Sequence, residues 1–363
     1  MVKEVNNMKQ LDAFVYFVRD LYKDCKHYVY PVFYILKREL KKLILKDKTY
    51  KALLFLEGDI VLGRLLYVFA YNDKLDIEVC YFSYLDCYDN QAVFNALFSY
   101  MEEDMKSLNV TYSEGTYAPY DPDNRRGVLI KGFEDDPVIF TSYNYSYYQS
   151  LFENYGYIKA HDTFSLELKK TDENVKKLNT LAKFFDRRFN IEVSPINLQD
   201  IDNEILDVHK ILESATTEEI YQSAPSIEVI KAVAKNLKFF LEPKIILIAR
   251  EKESKEPIGF VFCLLDYNQI FKKTKGRIKL LKLLRPLRHI NRSRGLMQYV
   301  VPKYQNSGLI GYLYKKVYDS FEELGITAFE AGTMMENNLK PFKAMEKFGA
   351  EISKIYRIYG KEI

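Results

Sequence analysis

Continuous apolar runs and helical-period segments alternate along this chain, most legibly in its second half. IEVSPI (191–196) predicts a strand, and Asp200 or Asp202 caps a helix expected over 203–214. KIILIAR (244–250) and PIGFVFCLL (257–265) flank the charged turn EKESKE and predict a hairpin. GLMQYVVP (295–302) is a further strand, stopped by Pro302, and Tyr304 to Gly311 reads as a glycine-containing loop. Leu313, Val317 and Phe321 share one face of a helix over 312–324 that Gly325 ends. ITAFEAGT (326–333), a short helix over 338–348 ended by Gly349, and ISKIYRIYG (352–360) complete the half. In the first half, ALLFLEGDIVLGRLLYVFA (52–70) predicts a hairpin turning at Gly58. A helix over 92–108 then leads into the strand VTYSEGT (110–116).

The two halves repeat each other. SYMEEDMKSLNVTYSEGT (99–116) aligns with KVYDSFEELGITAFEAGT (316–333) at an offset of 217, each a helix, a turn and a strand closing on Gly-Thr. FENYGY (152–157) follows in the first copy and MEKFGA (345–350) in the second, in the same order. The expected organisation is two domains, 1–175 and 176–363, divided near the charged stretch KKTDENVKK (169–177).

Composition narrows the class. The chain has 363 residues, 48% hydrophobic, with 30 Tyr and 24 Phe, which excludes global disorder. No apolar run approaches the ~18–20 residues that span a bilayer, and the first residues lack a signal-peptide pattern. Cys25, Cys80, Cys87 and Cys263 form no CxxC pair, and there are four His, so neither a disulfide framework nor a zinc site is expected. A reducing, cytoplasmic setting follows. Net charge is +3, yet Tyr267 to Tyr318 holds 13 Lys or Arg and no acid, which leaves the rest at −10. KKTKGRIKLLKLLRPLRHINRSRG (272–295) interleaves cations with leucines. Such a stretch suits an anionic membrane surface, the phosphates of a ligand, or a helix with a solvated face. No nucleic-acid motif accompanies it.

The segment VVPKYQNSGLIGYL (300–313) carries the sharpest chemistry. A strand ends, a turn brings Gln305, Ser307 and Gly308, and a helix begins. Backbone N–H groups at such a helix start, aided by the helix dipole, make an anion site, and small residues admit a phosphate. An ordinary strand–helix connection is the alternative.

The order of hairpin, strand, V-x-P-x-Y-Q-x-x-G loop, helix, strand, Asn-Asn, helix, Gly and strand resembles the GNAT-type N-acetyltransferase superfamily. The resemblance implies an α/β (α+β) fold of two tandem GNAT-like acyl-CoA N-acyltransferase domains, each a mixed, mostly antiparallel sheet flanked by helices. FVRDLYKDCKHYVYPV (17–32), VLGRLLYVF (61–69) and GVLIKGFEDDPVIFTSYNYSYY (127–148) extend it to bacterial proteins of tandem GNAT-like architecture. It implies that the family's Q/R-x-x-G-x-G/A pyrophosphate loop is Gln305, Asn306, Ser307, Gly308, Leu309 and Ile310, followed by Gly311. Ile310 departs from the final Gly/Ala. Residues 296–301, Val300 and Val301 among them, would splay and bond the pantetheine of acetyl-CoA or a longer acyl-CoA. Asn338 would contact the cofactor or simply cap its helix. The family's Tyr in Y-E-K-x-G-F is Met345 here, which cannot donate a proton. Glu330 and Tyr304 remain as acid–base candidates, each also readable as structural. His289 reads as part of a solvated basic face.

Subtracting the repeat offset from Gln305 and Gly308 gives Tyr88 and Gln91, in LDCYDNQAVF, with no glycine and two Asp. The first domain is thus expected to lack a phosphate loop. Its insert, 117–144, carries Asp121, Asp123 and Asp135, suited to an amine acceptor or to solvent. The expected function is acyl transfer from acyl-CoA to a small-molecule or lipid-like primary amine, without a metal. The alternatives are a non-catalytic binding protein of the same fold, and a peripheral membrane protein acting on lipid-like amines.

Overall fold

The computed structural model describes residues 1–120, 124–169, 171–216, 224–277, 290–347 and 349–363. The chain begins with β1 (Val2–Glu4), α1 (Met8–Tyr16), α2 (Val18–Leu21) and α3 (Phe33–Leu40). The hairpin β2 (Lys51–Glu57) and β3 (Ile60–Asn72) turns at Gly58, whose φ of 59° a glycine adopts without cost. There follow β4 (Ile77–Cys87), α4 (Gln91–Ser107), β5 (Tyr112–Gly115), β6 (Val128–Lys131), α5 (Tyr148–Asn154) and β7 (Ile158–Lys169). The second half runs α6 (Asp172–Arg188), β8 (Ile191–Pro195), α7 (Ile201–Thr216), α8 (Ile227–Leu237), β9 (Ile246–Glu251) and β10 (Pro257–Leu265). It ends with α9 (Asn268–Thr274), β11 (Arg292–Val300), α10 (Leu309–Leu324), β12 (Ala328–Met335), α11 (Leu339–Lys347) and β13 (Glu351–Glu362).

Two compact units emerge, and they interleave along the chain. Unit 1 takes the described residues of Met1–Phe164, Tyr267–Leu284 and Ser353–Ile363; unit 2 takes those of Ser165–Asp266 and Arg285–Ile352. These boundaries differ from a single division at 175. The reason is pairing: the last strand runs antiparallel to β5, from Tyr359↔Gly115 to Glu362↔Tyr112, and to β6 at Ile355↔Lys131. A cut near 175 therefore strips unit 1 of a strand.

In unit 1 the strand order is β1-β2-β3-β4-β5-β13, antiparallel except for the parallel β4–β5 pair. Two apolar clusters cover its faces. One gathers Phe14, Val15, Tyr22, Leu40 and Leu54; the other stacks Phe82, Phe94, Phe98, Phe152 and Tyr157. Much of the tyrosine excess is structural here, because buried rings fill space while many of their hydroxyls find polar partners. Tyr148, for example, accepts from the Cys87 amide at 2.7 Å and donates to its carbonyl at 3.0 Å.

In unit 2 the order is β12-β11-β10-β9-β8, again with one parallel pair, β11–β12. α7 packs on one face through Ile211 and Leu212 against Ile248 and Phe260. α10 lies on the other face, where its Tyr314 meets Phe329 edge-on at 5.5 Å. The predicted hairpin, strands and glycine-ended helices of this half are all present, and α10 starts three residues earlier than its periodicity suggests. All four cysteines are free.

Candidate functional site

β11 changes character midway. Its parallel pairing with β12 runs from Arg292↔Ala328 to Gly295↔Ala331 and stops there, although both strands continue. On the opposite edge, pairing with β10 persists to Gly259↔Val300, but Gly295 and Met297 face Cys263 and Phe262, so Leu296 is an extra residue, a β-bulge. The edge of residues 296–300 that faces β12 is left without a strand partner among the described residues. Gly295 permits the turn-out: a Cβ there would stand 2.7 Å from the Phe329 ring and 3.4 Å from the Tyr314 hydroxyl. The freed stretch carries Gln298, whose Oε1 is buried without a hydrogen-bond partner. A buried acceptor without a donor is costly, so this one is available to a ligand N–H.

The loop beyond β11 delivers α10. Pro302–Tyr304 forms a single 3-10 turn, and Gly308 is the helix N-cap at φ 94°, a left-handed conformation. Its Cβ would also come within 3.2 Å of Leu181 on α6. α6 braces α10 further through Phe185 stacked on Tyr312 at 4.5 Å. No side chain of the N-cap closes the helix start. Ser307 Oγ accepts from the Leu309 amide at 3.2 Å, and the Tyr312 amide reaches the Gly308 carbonyl at 3.0 Å. The amides of Gly308, Ile310 and Gly311 have no acceptor among the described residues. Three amides at a helix N-terminus, backed by the dipole, favour an anion. Ile310 is half-buried, and Asn306, at φ 61°, is exposed.

The remaining candidates separate. Tyr304 donates to Glu251 Oε1 at 2.6 Å and Lys303 binds the same oxygen at 2.8 Å, which ties the loop to the end of β9. Hydrogen bonds from Lys303, Tyr304 and Ser254 bring the Glu251 carboxyl down to about 2. Partial burial and that carboxylate raise the Tyr304 phenol. Tyr304 is thus engaged as a strut. Glu330 is buried in β12, in register with Arg294, and alternation with Phe329 turns it to the face away from α10. Val300 is buried and Val301 half-buried, the latter packed with Met297 and Tyr299 beside α7. Asn338 is half-buried immediately before α11, and Met345 is core, 1% exposed.

Of the basic stretch, residues 278–289, His289 included, lie outside the described residues. The flanking cations are partly committed: Lys272 binds both oxygens of Asp136 at 2.6 Å, and Arg292 binds the fully buried Asp266 at 2.7 Å. Asp121 and Asp123 also lie outside, and Asp135 is exposed. Among the described residues no group of three or more His, Cys, Asp or Glu is placed to hold a metal, and no helix is long and apolar enough to cross a membrane.

Unit 1 repeats the device and then alters it. β4 pairs in parallel with β5 from Val79↔Tyr112 to Phe82↔Gly115 and then bulges, with Arg64↔Asp86 and Leu66↔Ser83 bracketing one extra residue. The Gly-Thr peptides that close the repeats, Gly115–Thr116 and Gly332–Thr333, are both cis. Tyr88 directly follows β4 and Gln91 opens α4, at the strand-to-helix junction that the repeat offset requires. Here, however, Asn90 Oδ1 accepts from the amides of Ala92 and Val93 at 3.0 and 3.2 Å, so the helix start is satisfied from within. Asn90→Ala should lower stability by ~1 kcal/mol, read as a shifted urea midpoint at unchanged slope.

Sequence reasoning missed the bulge, Gln298 and Tyr314. Gly295 was the one available sign, and a lone strand glycine announces only some close approach.

No family model matches the sequence. Among curated proteins, "Protein YghO" of Escherichia coli (strain K12) is 24% identical over 380 residues, covering 100% of this chain and 95% of its own. "Bacterial ceramide synthase" of Caulobacter vibrioides is 23% identical over 300 residues, covering 78% of this chain and 75% of its own. Among solved structures, a GCN5-related glucosamine N-acetyltransferase region of a fungal multi-domain GH3 beta-N-acetylglucosaminidase superposes over 99% of this chain, with TM-score 0.61 and 12% identity; the chain spans 38% of that longer protein. A tandem GNAT protein from the clavulanic acid biosynthesis pathway superposes over 100% of this chain and 98% of its own, with TM-score 0.58 and 10% identity.

Proposed function

The chain has the GNAT-type N-acetyltransferase fold along its whole length, and from that premise we propose that unit 2 is an acyl-CoA-dependent N-acyltransferase for a lipid-like primary amine. The observation that carries the reading is the splayed β11 leading into a helix start with three unpartnered amides. The amides of Gly308, Ile310 and Gly311 take the pyrophosphate, with Gln305, Asn306, Ser307 and Leu309 shaping the loop around it. The free edge of 296–301 takes the pantetheine by backbone hydrogen bonds, and Asn338 flanks it. The lipid-like acceptor is supported by the half-buried apolar rim of Val208, Ile230, Phe262, Met297 and Tyr299. It is supported as well by the ceramide synthase relative, since a ceramide is the amide of a long-chain amine. The proposed setting is the cytoplasm, with an anionic membrane surface as a partner that the net charge of the basic stretch would favour.

In the reaction the amine nitrogen attacks the thioester carbon, the C–N bond forms and the C–S bond breaks. The thiolate takes up one proton, and the nitrogen sheds one to water, from which the proton donor is restored. Tyr314 supplies the former. Its hydroxyl stands beside Gly295 at the bulge and makes no hydrogen bond among the described residues, and burial, then Cys263, raises its pKa well above the usual phenol value. Like any phenol it is protonated at neutral pH, and it offers an O–H where Met345 has none. Tyr314→Phe should reduce kcat by ~100-fold and leave the acyl-CoA Kd within about twofold. Steady-state kinetics with a long-chain amine, beside calorimetric titration of acyl-CoA, reads both. An unchanged kcat removes Tyr314 from the mechanism, and absence of acyl-CoA binding removes the reading itself.

A further inference from the structure

Unit 1 has its own cleft at the β4 bulge, and its chemistry differs from that of unit 2. A small cavity of about 30 Å³ opens there, lined by Tyr84, Asp86, Arg125, Ser142, Tyr143 and Tyr148 among others. Its charges do not cancel. Asp86 is already consumed: Oδ1 accepts from the Tyr22 hydroxyl at 2.9 Å, and Oδ2 accepts from Arg64 Nε and Nη2 at 2.8 and 2.6 Å. Arg64 places its remaining nitrogen on the Phe14 carbonyl at 2.6 Å. Arg125 is different. Its closest carboxylate oxygen, Asp86 Oδ2, is 3.9 Å away, beyond hydrogen-bond range, and its guanidinium otherwise lies over the Tyr84 ring at 4.9 Å.

The neutral donors nearby are also unspent. The Ser142 residue is 8% exposed, and its hydroxyl makes no hydrogen bond among the described residues. The Tyr28 hydroxyl is buried against the Arg125 guanidinium, whose charge and hydrogen bond partly offset the burial that pushes it up to about 12, and its proton is not donated to any acceptor among the described residues. The backbone is bent to this arrangement. Tyr84, Arg125 and Phe140 sit at φ 47°, 56° and 66°, and the Arg125 amide donates to the Phe140 carbonyl at 2.9 Å. Bulky residues rarely adopt this region, and two lining the cavity, with Phe140 bonded behind Arg125, mark a held geometry.

We propose that this cavity binds the carboxylate of a small monocarboxylic acid. Arg125 offers the planar fork that matches a carboxylate, with one uncompensated positive charge for one negative charge. Ser142 adds a hydroxyl donor; at about 30 Å³ the cavity takes the carboxylate end alone, and the carbon body stays at its open mouth. The proposal concerns unit 1 and stands apart from the acyl-transfer reading of unit 2.

The test uses the full chain. Thermal unfolding is followed with acetate, butyrate and benzoate, against chloride and phosphate at matched ionic strength, and ¹³C-acetate line broadening measures binding directly. Carboxylates should raise Tm in a saturable way that chloride and phosphate do not match. Arg125→Gln should weaken butyrate roughly tenfold or more, and Ser142→Ala severalfold. If Arg125→Gln does not fold, Ser142→Ala decides. An equal response to all anions, a response unchanged in the folded variants, or none at tens of millimolar overturns the proposal.

Discussion

Gly308→Glu should abolish acyl-CoA binding, weakening it by at least ~100-fold, or about 2.7 kcal/mol, while the chain still melts cooperatively. Two effects act together. The residue sits at φ 94° with Leu181 close behind, so any side chain costs about 1–2 kcal/mol in backbone energy and must displace a neighbour. The carboxylate also lands on the amides proposed to hold the pyrophosphate. An acidic group at a helix N-terminus interacts favourably with the dipole, which offsets part of the strain and protects the fold. The same charge occupies the anion site from within, as Asn90 does for α4. Ile310→Ala is the companion change: it removes the branched side chain where the resembling family keeps Gly or Ala, and should tighten binding severalfold. Calorimetric titration of acetyl-CoA and a long-chain acyl-CoA against the three proteins reads all of this. Wild-type-like binding by Gly308→Glu would show that the phosphates lie elsewhere.

Arg64→Met should be the most destabilising single change considered, costing about 3–5 kcal/mol. Arg64 is fully buried and holds Asp86, itself 1% exposed, by two hydrogen bonds. Methionine fills much of the volume but leaves the Asp86 carboxylate and the Phe14 carbonyl short of donors. Arg125, at 3.9 Å, has to move to compensate. The double change Arg64→Met with Asp86→Leu should recover much of the loss, because both charges then disappear together. Urea unfolding of the two single variants and the double variant gives the coupling directly. A loss below 1 kcal/mol for Arg64→Met would mean that water reaches Asp86.

Much of this was legible from the amino-acid order, and the misses have physical causes. Gly58, Gly325 and Gly349 end their elements at positive φ, so glycine punctuation located the hairpin and two helices correctly. The apolar periodicity of α10 begins only at Tyr312, but the glycine-containing turn put the helix start at about Gly308 to Ile310, where the cap is Gly308 itself. β4 escaped because it is buried on both faces from Val79 to Cys87, which erases the alternation that reveals a strand. β7 escaped for the converse reason, its apolar positions being diluted by Lys159, His161, Asp162 and Glu167. The repeat brought out the contrast between the two helix starts, because it located Tyr88 and Gln91. The Arg125 cavity had no local sign. Its residues come from β4, from the insert near Gly127 and from residues 142–148, and only pairing brings them together.

The membership of β13 in unit 1 bears on how the protein is made. Translation delivers Ser353–Ile363 only after every residue of unit 2 has emerged. Domains in a growing chain generally fold in the order of synthesis, but unit 1 cannot follow that order to completion. Through most of its synthesis the nascent protein exposes the edges of β5 and β6 that β13 later covers. Open strand edges invite mispairing, which makes this interval the one in which a chaperone or a slow codon matters most. A premature stop codon anywhere before residue 353 therefore damages the first unit as surely as it shortens the chain.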